Sequence, residues 1–445
     1  MTKVLFFFDT EDYVNKSGAD GVLRAAKLLE SHGIRGCFNV VGWFADAVLE
    51  WGRKDVAECL KNHDVGLHSH RHSHHPTINE YTDLEDYEEA KRLFLEDEKK
   101  SIEKISRVFG KTSFPAACPP GESSSYVAYY GYSELGCKIY NVGAHFDVMD
   151  NRPLYASNIC CINYNRTLEA FLHNASKEDV RKVVDGIPET QEVLIFCHHP
   201  HKAYVTEHPD VLNYNQKNTP REEWVLSDIR SEEEIELFYE NFEYLINYLK
   251  ENPRFEIVTT DDIIKEYCDT KRVIKREYID DIFVQLYRKF FPLTTPDSFS
   301  LADIVLACRD FLQGKDEHIC GKVYGFMEEP FMADTYVTLT KEEVIKGAES
   351  FKDGEFLPSK IVVGDKVIGP GDWLRAALDV LRGKESVKIV SKTWQIDLDE
   401  FPRLRDLEYR NWVHMLDFKD NFLSKRARLQ TWTLRLPKNT KRTIY

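Results

Sequence analysis

No stretch of this chain is apolar for long enough to span a bilayer, which argues against a helical membrane protein. No secretory leader is legible either. Acids cut short the apolar run that opens the chain, MTKVLFFFDTED, and no small-residue cleavage site follows it. Basic residues are in deficit. Lys and Arg number 59 against 74 Asp and Glu, a formal net charge of −15, which argues against nucleic acid and anionic membrane as partners. There is no low-complexity tract, and no internal repeat is legible. The ten cysteines form no CxxC pair and keep no regular spacing, so reduced thiols in a cytoplasmic protein are expected, not a disulfide framework. What remains is a globular composition, 42% hydrophobic and 30% charged, over 445 residues. That length suits two or three domains.

The opening stretch is the most informative. Residues 4–13 read VLFFFDTEDY, an apolar run followed by carboxylates at Asp9, Glu11 and Asp12. A short, wholly apolar run suits a buried parallel strand better than a helical turn. The acids then sit at the strand's C-terminal end, where α/β folds place their chemistry. Clustered acids repel one another, so a cation is expected to hold them, most simply a metal ion.

Further strands are predicted at 36–41, before 68, and at 138–142, 158–162, 193–198 and 255–260, with helices between them at 18–31, 53–62, 83–109 and 231–250. Strands alternating with helices predict a parallel sheet, and closing it as a barrel would bury every strand. The Glu/Lys-rich helix at 83–109 reads as a solvated outer face. The pattern changes near 272–276. Beyond it, helices are expected at 300–312, 341–351 and to about 382, with a strand-like segment at 356–374. We therefore expect an α/β barrel domain at 1–272 and a mixed, mainly helical accessory domain at 276–445.

GLHSHRHSHH at 66–75 supplies nitrogen ligands. His68 and His72, four residues apart, can aim both imidazoles at one point. A carboxylate from another strand end would complete a two-His-one-carboxylate triad with open positions. Water bound there has its pKa lowered towards neutrality, and a second carboxylate off the metal can take its proton. Zinc is the first expectation for this ligand set, with nickel, cobalt or manganese as alternatives.

The order of these motifs resembles the polysaccharide deacetylases with a NodB-homology domain, of the carbohydrate esterase type. A strand ends in acids, Gly-x-His-Ser-x-x-His follows, then the Pro-Pro-Gly loop at 119–121, then VLIFCHHP at 193–200. GCFNVVGWFAD at 36–46 and FEIVTTDDII at 255–264 extend the likeness over about residues 3–268. The resemblance implies a distorted (β/α) barrel that hydrolyses the N-acetyl amide bond of a sugar or glycan precursor. It implies Asp9 as base, Glu11 with His68 and His72 on the metal, and His198 as acid to the leaving amine. Asp12 stays a rival of Glu11. Pro120, Gly121 and Arg152 are the expected substrate contacts. The family's Arg before the Pro-rich loop is replaced by Cys118, so Arg152 is also the cation expected to hold Asp9. Asp147 or Asp150 would stand in for the family's Asp-Trp motif. Two alternatives remain: an amidohydrolase acting on a small non-sugar amide or ureide, and a non-catalytic glycan-binding protein.

Residues 357–378, LPSKIVVGDKVIGPGDWLRAAL, resemble a pseudomurein-binding repeat, which would make about 300–385 a glycan-binding or oligomerisation module and a homo-oligomer an expected partner state. The segment 424–445 carries seven Lys/Arg and no acid, and reads as a solvated tail or as a segment that docks on the acidic barrel of its own chain or a partner.

Overall fold

The computed structural model describes residues 1–122, 125–142, 152–163, 165–268, 271–333, 335–390 and 412–439. The chain divides into two compact units. The first is Met1–Pro153, Ile159–Cys268 and Arg405–Leu423; the second is Leu154–Asn158, Asp269–Leu404 and Ser424–Tyr445. The break at 268–269 lies near the boundary read from the sequence. The crossings at 153–159 and 405–423 have no counterpart in that reading.

The first unit is a curled parallel sheet covered by helices. Strand β1 (Thr2–Thr10) is its centre. It pairs in parallel with β2 (Cys37–Val40), β8 (Val193–His198) and, at its start, β9 (Phe255–Ile257). The ladder runs on from β2 through β3 (Asp64–Leu67), β4 (Ala116–Ala117) and β5 (Ile139–Val142) to β6 (Ile159–Asn163). On the other side β8 pairs with β7 (Arg166–Thr167). The strands β6 and β7 are consecutive in sequence yet lie far apart on opposite sides of β1, so the sheet curls back towards itself. Among the described residues no ladder joins β6 to β7.

Residues Val4, Leu5, Phe6, Phe7 and Phe8 of β1 are all buried, as a strand covered on both faces requires. Helices α1 (Lys16–Ser31), α2 (Tyr87–Phe109) and α3 (Glu232–Glu251) contribute to the cover. A capping box of Ser231 and Glu234 starts α3, with acids filling its first turn. Its apolar stripe lays Phe238 and Phe242 on the sheet, where Phe242 meets Phe6 at 5.7 Å. The helix α2 is less solvated than its composition suggests: Phe94, Glu98, Ser101 and Ile105 are buried along one face.

Residues in register on parallel neighbours point to the same face. Phe8 pairs with Phe38 and with His198, which places all three on the helix-covered face. Asp9 pairs with Asn39, and Asn39 with Gly66, on the opposite face. A Cβ on Gly66 would lie 2.1 Å from Oδ1 of Asn39. The bare glycine therefore lets the Asn39 amide lie across β3 and reach Asp9.

The second unit contains an internal repeat, contrary to the expectation from sequence. Strand β10 (Val273–Lys275) pairs antiparallel with β11 (Glu317–Ile319), and β12 (Val337–Thr340) with β15 (Ser386–Ile389). Helices α4 (Ile279–Arg288) and α5 (Leu301–Leu312) lie between the first two strands. In the second half, α6 (Lys341–Gly347) and α7 (Pro370–Leu381) take the same places. Details match at one constant offset. Asp303 and Asp372 accept the N–H of Ser300 and Gly369 at 2.9 and 3.2 Å. Asp310 and Asp379 pair with Lys315 and Lys384 at 3.1 and 2.9 Å. Gly314 and Gly383 both take positive φ, 91° and 99°. The second half also forms the hairpin β13 (Ile361–Val363) and β14 (Lys366–Ile368), where the first has a lone bridge between Leu293 and Phe299. Core identities differ (Ile304 against Trp373, Phe311 against Val380), which hides the repeat from a reading of the sequence.

The basic segment after 424 is not a solvated tail in its described part. Trp432 is buried, and buried Arg435 clasps Asp303 through two bonds of 2.7 Å. That geometry is the bidentate form arginine prefers.

Candidate metal centre

The apolar run of β1 ends where the sheet's C-terminal edge opens, and there Glu11 meets two histidines. Nε2 of His68 lies 3.2 Å and Nε2 of His72 2.9 Å from Oε2 of Glu11. All three side chains are nearly fully buried. His68 turns its other nitrogen to the carbonyl of Cys118 at 2.9 Å, and His72 turns Nδ1 to Asp210 at 3.1 Å. Far nitrogens fixed in this way leave both Nε2 lone pairs aimed at one point, as metal-binding histidines require. Nε2 of His72, for all its nearness to Glu11, makes no aligned hydrogen bond in this position despite its burial. The donor set therefore fits a divalent cation. His72 stands at φ 53°, a left-handed turn that swings its ring back towards His68, so the His-x-x-x-His spacing works here through a tight loop.

Electrostatics favour a cation at this point. Burial opposes a charge on Glu11, but His72 and His199 outweigh it and hold the carboxyl well below its usual range. Burial likewise opposes a charge on His72, and Asp210 and Glu11 outweigh it to raise that histidine well above its ordinary value. Asp12 is placed elsewhere. Its Oδ1 accepts the N–H groups of Val14 and Asn15 at 3.0 and 2.8 Å and so anchors the turn into α1. Burial pushes its carboxyl up to about 7.

Asp9 lies beside the Glu11 cluster in a cleft of about 180 Å³. Oδ1 accepts the Asn39 amide at 3.2 Å, and Oδ2 accepts the thiols of Cys118 at 3.7 Å and Cys197 at 3.6 Å. Cys118 thus takes up, with a neutral thiol, the place where a cation was expected. Arg152 does not come to this end of the sheet. It pairs at 3.7 Å with Glu192, the residue before β8, a full strand length from Asp9.

The sequence reading assigned the acid role to His198, and the structure places that side chain on the wrong face for it. His198 is fully buried and stacks on Phe238 of α3 at 4.8 Å, because its register with Phe8 turns it to the helices. The next residue, His199, lines the cleft with Nε2 3.8 Å from Asp9. Glu169 holds both rings, His198 at 2.7 Å and His199 at 2.5 Å. Burial disfavours the charge on His199, but Glu169 and Glu11 push its pKa up to about 10. Strand alternation, counted from Asp9 through its register partners, was the available signal for His199.

Glu169, His201, His208, Asp210 and Trp412 had no assigned role in the sequence reading, and no local motif marks them. Trp412 lines the cleft, as does Gly121, whereas buried Pro120 only begins the short turn that carries Gly121. His70 and His75 bond to Asp97 and Glu80. Asp147 and Asp150 lie outside the described residues.

No family model matches this chain, and no curated protein does. The chain is similar to polysaccharide deacetylase structures. One is described as a polysaccharide deacetylase from Mycobacterium smegmatis, with 14% identity, a TM-score of 0.40, and coverage of 59% of this chain and 89% of that one. A family 4 acetyl xylan esterase from Clostridium thermocellum, in complex with a cobalt ion, has 14% identity and a TM-score of 0.33, with 59% and 91% covered. The allantoinase PuuE has 12% identity and a TM-score of 0.40, with 59% and 89% covered. Among the described residues no helix is long and apolar enough to cross a membrane.

Proposed function

We propose that this chain is a metal-dependent hydrolase of an N-acetyl amide bond on a sugar or glycan precursor. One observation carries the reading. A three-ligand cluster, an off-cluster carboxylate and a histidine facing that carboxylate share one cleft. Glu11, His68 and His72 would hold the cation. A divalent ion at this point supplies Lewis-acid polarisation of the amide carbonyl and a more acidic water.

The chain's own residues do the proton work. Asp9 accepts a proton from the attacking water, steadied by Asn39 and the two thiols. The new C–O bond forms at the carbonyl carbon. His199 delivers its proton from Nε2 to the departing nitrogen as the C–N bond breaks, releasing acetate and an amine. Glu169 orients His199 through Nδ1 and favours its charged form. His198 is a positioning residue that shares Glu169. Trp412, half-buried at the cleft wall, offers a flat apolar face to a substrate ring.

The size of the cleft favours a second reading beside this one. About 180 Å³ is small for a ligand pocket and admits an acetamido group with part of one ring, or a whole small amide or ureide. A non-catalytic glycan binder is the weaker reading, since binding needs neither a carboxylate off the metal nor an acid facing it.

The test is metal content of the chelated and zinc-refilled protein, wild type against His68→Ala, followed by acetate release from N-acetylglucosamine oligomers. Loss of bound zinc in the variant together with acetate release by wild type supports the reading. Wild type that binds no metal overturns it. Metal binding with turnover only of small amides selects the second reading.

A further inference from the structure

The carboxylate of Glu11 faces histidines on both sides. Its Oε2 addresses His68 and His72, as described. Its Oε1 lies 3.3 Å from Nδ1 of His208 and 3.9 Å from Nε2 of His201. The five side chains fall into two trios that share only Glu11, and the ligand atoms within each trio lie within 4.8 Å of one another. We propose that Glu11 bridges two divalent cations, the first with His68 and His72, the second with His201 and His208. The inference builds on the first cation of the proposed function and adds a site to it.

The second trio has the geometry of a site. His201 and His208 turn ring nitrogens towards each other at 3.1 Å, with Glu11 beside both. Two imidazole nitrogens and a carboxylate oxygen converging on one point are a common ligand set for zinc, cobalt, nickel or manganese and a poor one for calcium or magnesium. Both histidines come from the loop after β8. His201 sits in the turn Pro200–Ala203, and His208 immediately precedes the short helix Pro209–Asn213. That helix also carries Asp210, which fixes His72 of the first trio. One loop therefore supplies two ligands to the second site and the orienting carboxylate to the first.

The described lining of the cleft includes the carboxylates of Asp9, Glu11 and Asp210 and no lysine or arginine, so no such side chain competes with a cation there. His208 lines the cleft and is one-third exposed, so a cation there has an entry path. Its role would be that of the second ion in a two-ion hydrolase clamp on the carbonyl oxygen and the water.

The experiment counts zinc, and then manganese, on full-length protein after chelation and refill, in wild type, His208→Ala, His208→Asn, His68→Ala and Glu11→Gln. Circular dichroism checks the fold of each. The proposal expects two equivalents in wild type, one in each single-histidine variant and none in Glu11→Gln. It also expects a spin-coupled manganese pair by electron paramagnetic resonance in wild type, replaced by an isolated ion in His208→Ala. One equivalent in wild type, unchanged in both His208 variants, overturns the second site and leaves the hydrolase reading standing; His201 and His208 are then a hydrogen-bonded pair behind Glu11. No equivalents in wild type overturn both. Two equivalents in wild type and in both His208 variants place the extra ion elsewhere and overturn the bridge.

Discussion

The indole of Trp412 occupies the space that a side chain on Gly121 would need: a Cβ there would lie 2.0 Å from Cζ3 of the ring. Gly121 also sits at φ 50°, where other residues are strained. The glycine of the Pro-Pro-Gly loop thus makes room for a residue nearly three hundred positions later. The segment bearing Trp412 is tied down by Thr77, which donates to the carbonyl of Val413 at 2.8 Å, and by Glu80, which accepts the N–H of Met415 at 2.7 Å. Gly121→Ala should displace the indole and Trp412→Ala should remove it. Lost contact of about 1–2 kcal/mol corresponds to a roughly 5- to 30-fold rise in KM for a substrate the wild type turns over. In Trp412→Ala kcat should stay within about twofold, and Trp412→Phe should recover most of the loss. Unchanged KM in both loss variants would remove Trp412 from the substrate site.

The two adjacent histidines separate cleanly. His199→Gln should lower kcat by about 10²–10⁴, the usual contribution of a placed general acid. His198→Gln should cost much less, because that ring touches only Glu169, Phe238 and the core. A substrate with a good leaving group should relieve the His199 defect and not the His198 defect. Equal losses in both variants would return the acid role to an open question between them.

Glu98 of α2 is fully buried, and neither carboxylate oxygen makes a well-aligned hydrogen bond, with the Tyr132 hydroxyl as its nearest polar help. Burial first, and Asp97 beside it, push its carboxyl well above the usual range. The native state thus keeps a proton that the unfolded chain gives up above about pH 4.5, so this group costs more stability as pH rises. Glu98→Gln should raise Tm by a few degrees at pH 8 and by less at pH 5. Thermal melts at the two values check the sign, and a lower Tm at pH 8 would contradict it.

His63 gives the opposite dependence. Its Nδ1 accepts the N–H of Gly36 at 3.1 Å, a bond that needs the neutral ring. Burial pushes its pKa down to about 4. The unfolded chain binds a proton below about pH 6.5 that the native state refuses, so stability is present above that value and falls as pH drops towards 4. The full loss is up to about 3 kcal/mol. Urea unfolding of wild type and His63→Gln between pH 7 and 4.5 should show the steeper decline in wild type.

Much of the first unit was legible because its chemistry follows short-range rules. Apolar runs of four to six residues read as parallel strands, and the acids after VLFFF mark the end of the strand where the candidate site lies. His68 and His72 were legible from spacing, since one tight loop carries both. The choice of His199 over His198 needed strand register, which alternation alone can supply once a partner strand is fixed. Glu169, Asp210 and Trp412 were illegible for a different reason. They arrive from short helices and a distant segment, and only the folded chain brings them to one cleft. Arg152 was misplaced because a cation was sought for Asp9, when an amide and two thiols hold it.

The repeat in the second unit sets the size of what can fold there. The helices α5 and α7 pack directly on each other, and one apolar core takes Ile282 and Leu301 from the first half with Leu339 and Trp373 from the second. Neither half can bury its own stripe alone. A cut at 300 and 385 would keep α5 but discard β10, the antiparallel partner of β11, and would remove Trp432 and Arg435 from the core. The cooperative element is therefore the tandem pair with its C-terminal strap, and truncations inside it should yield insoluble fragments, while loss of the strap should unfold both copies in a single transition.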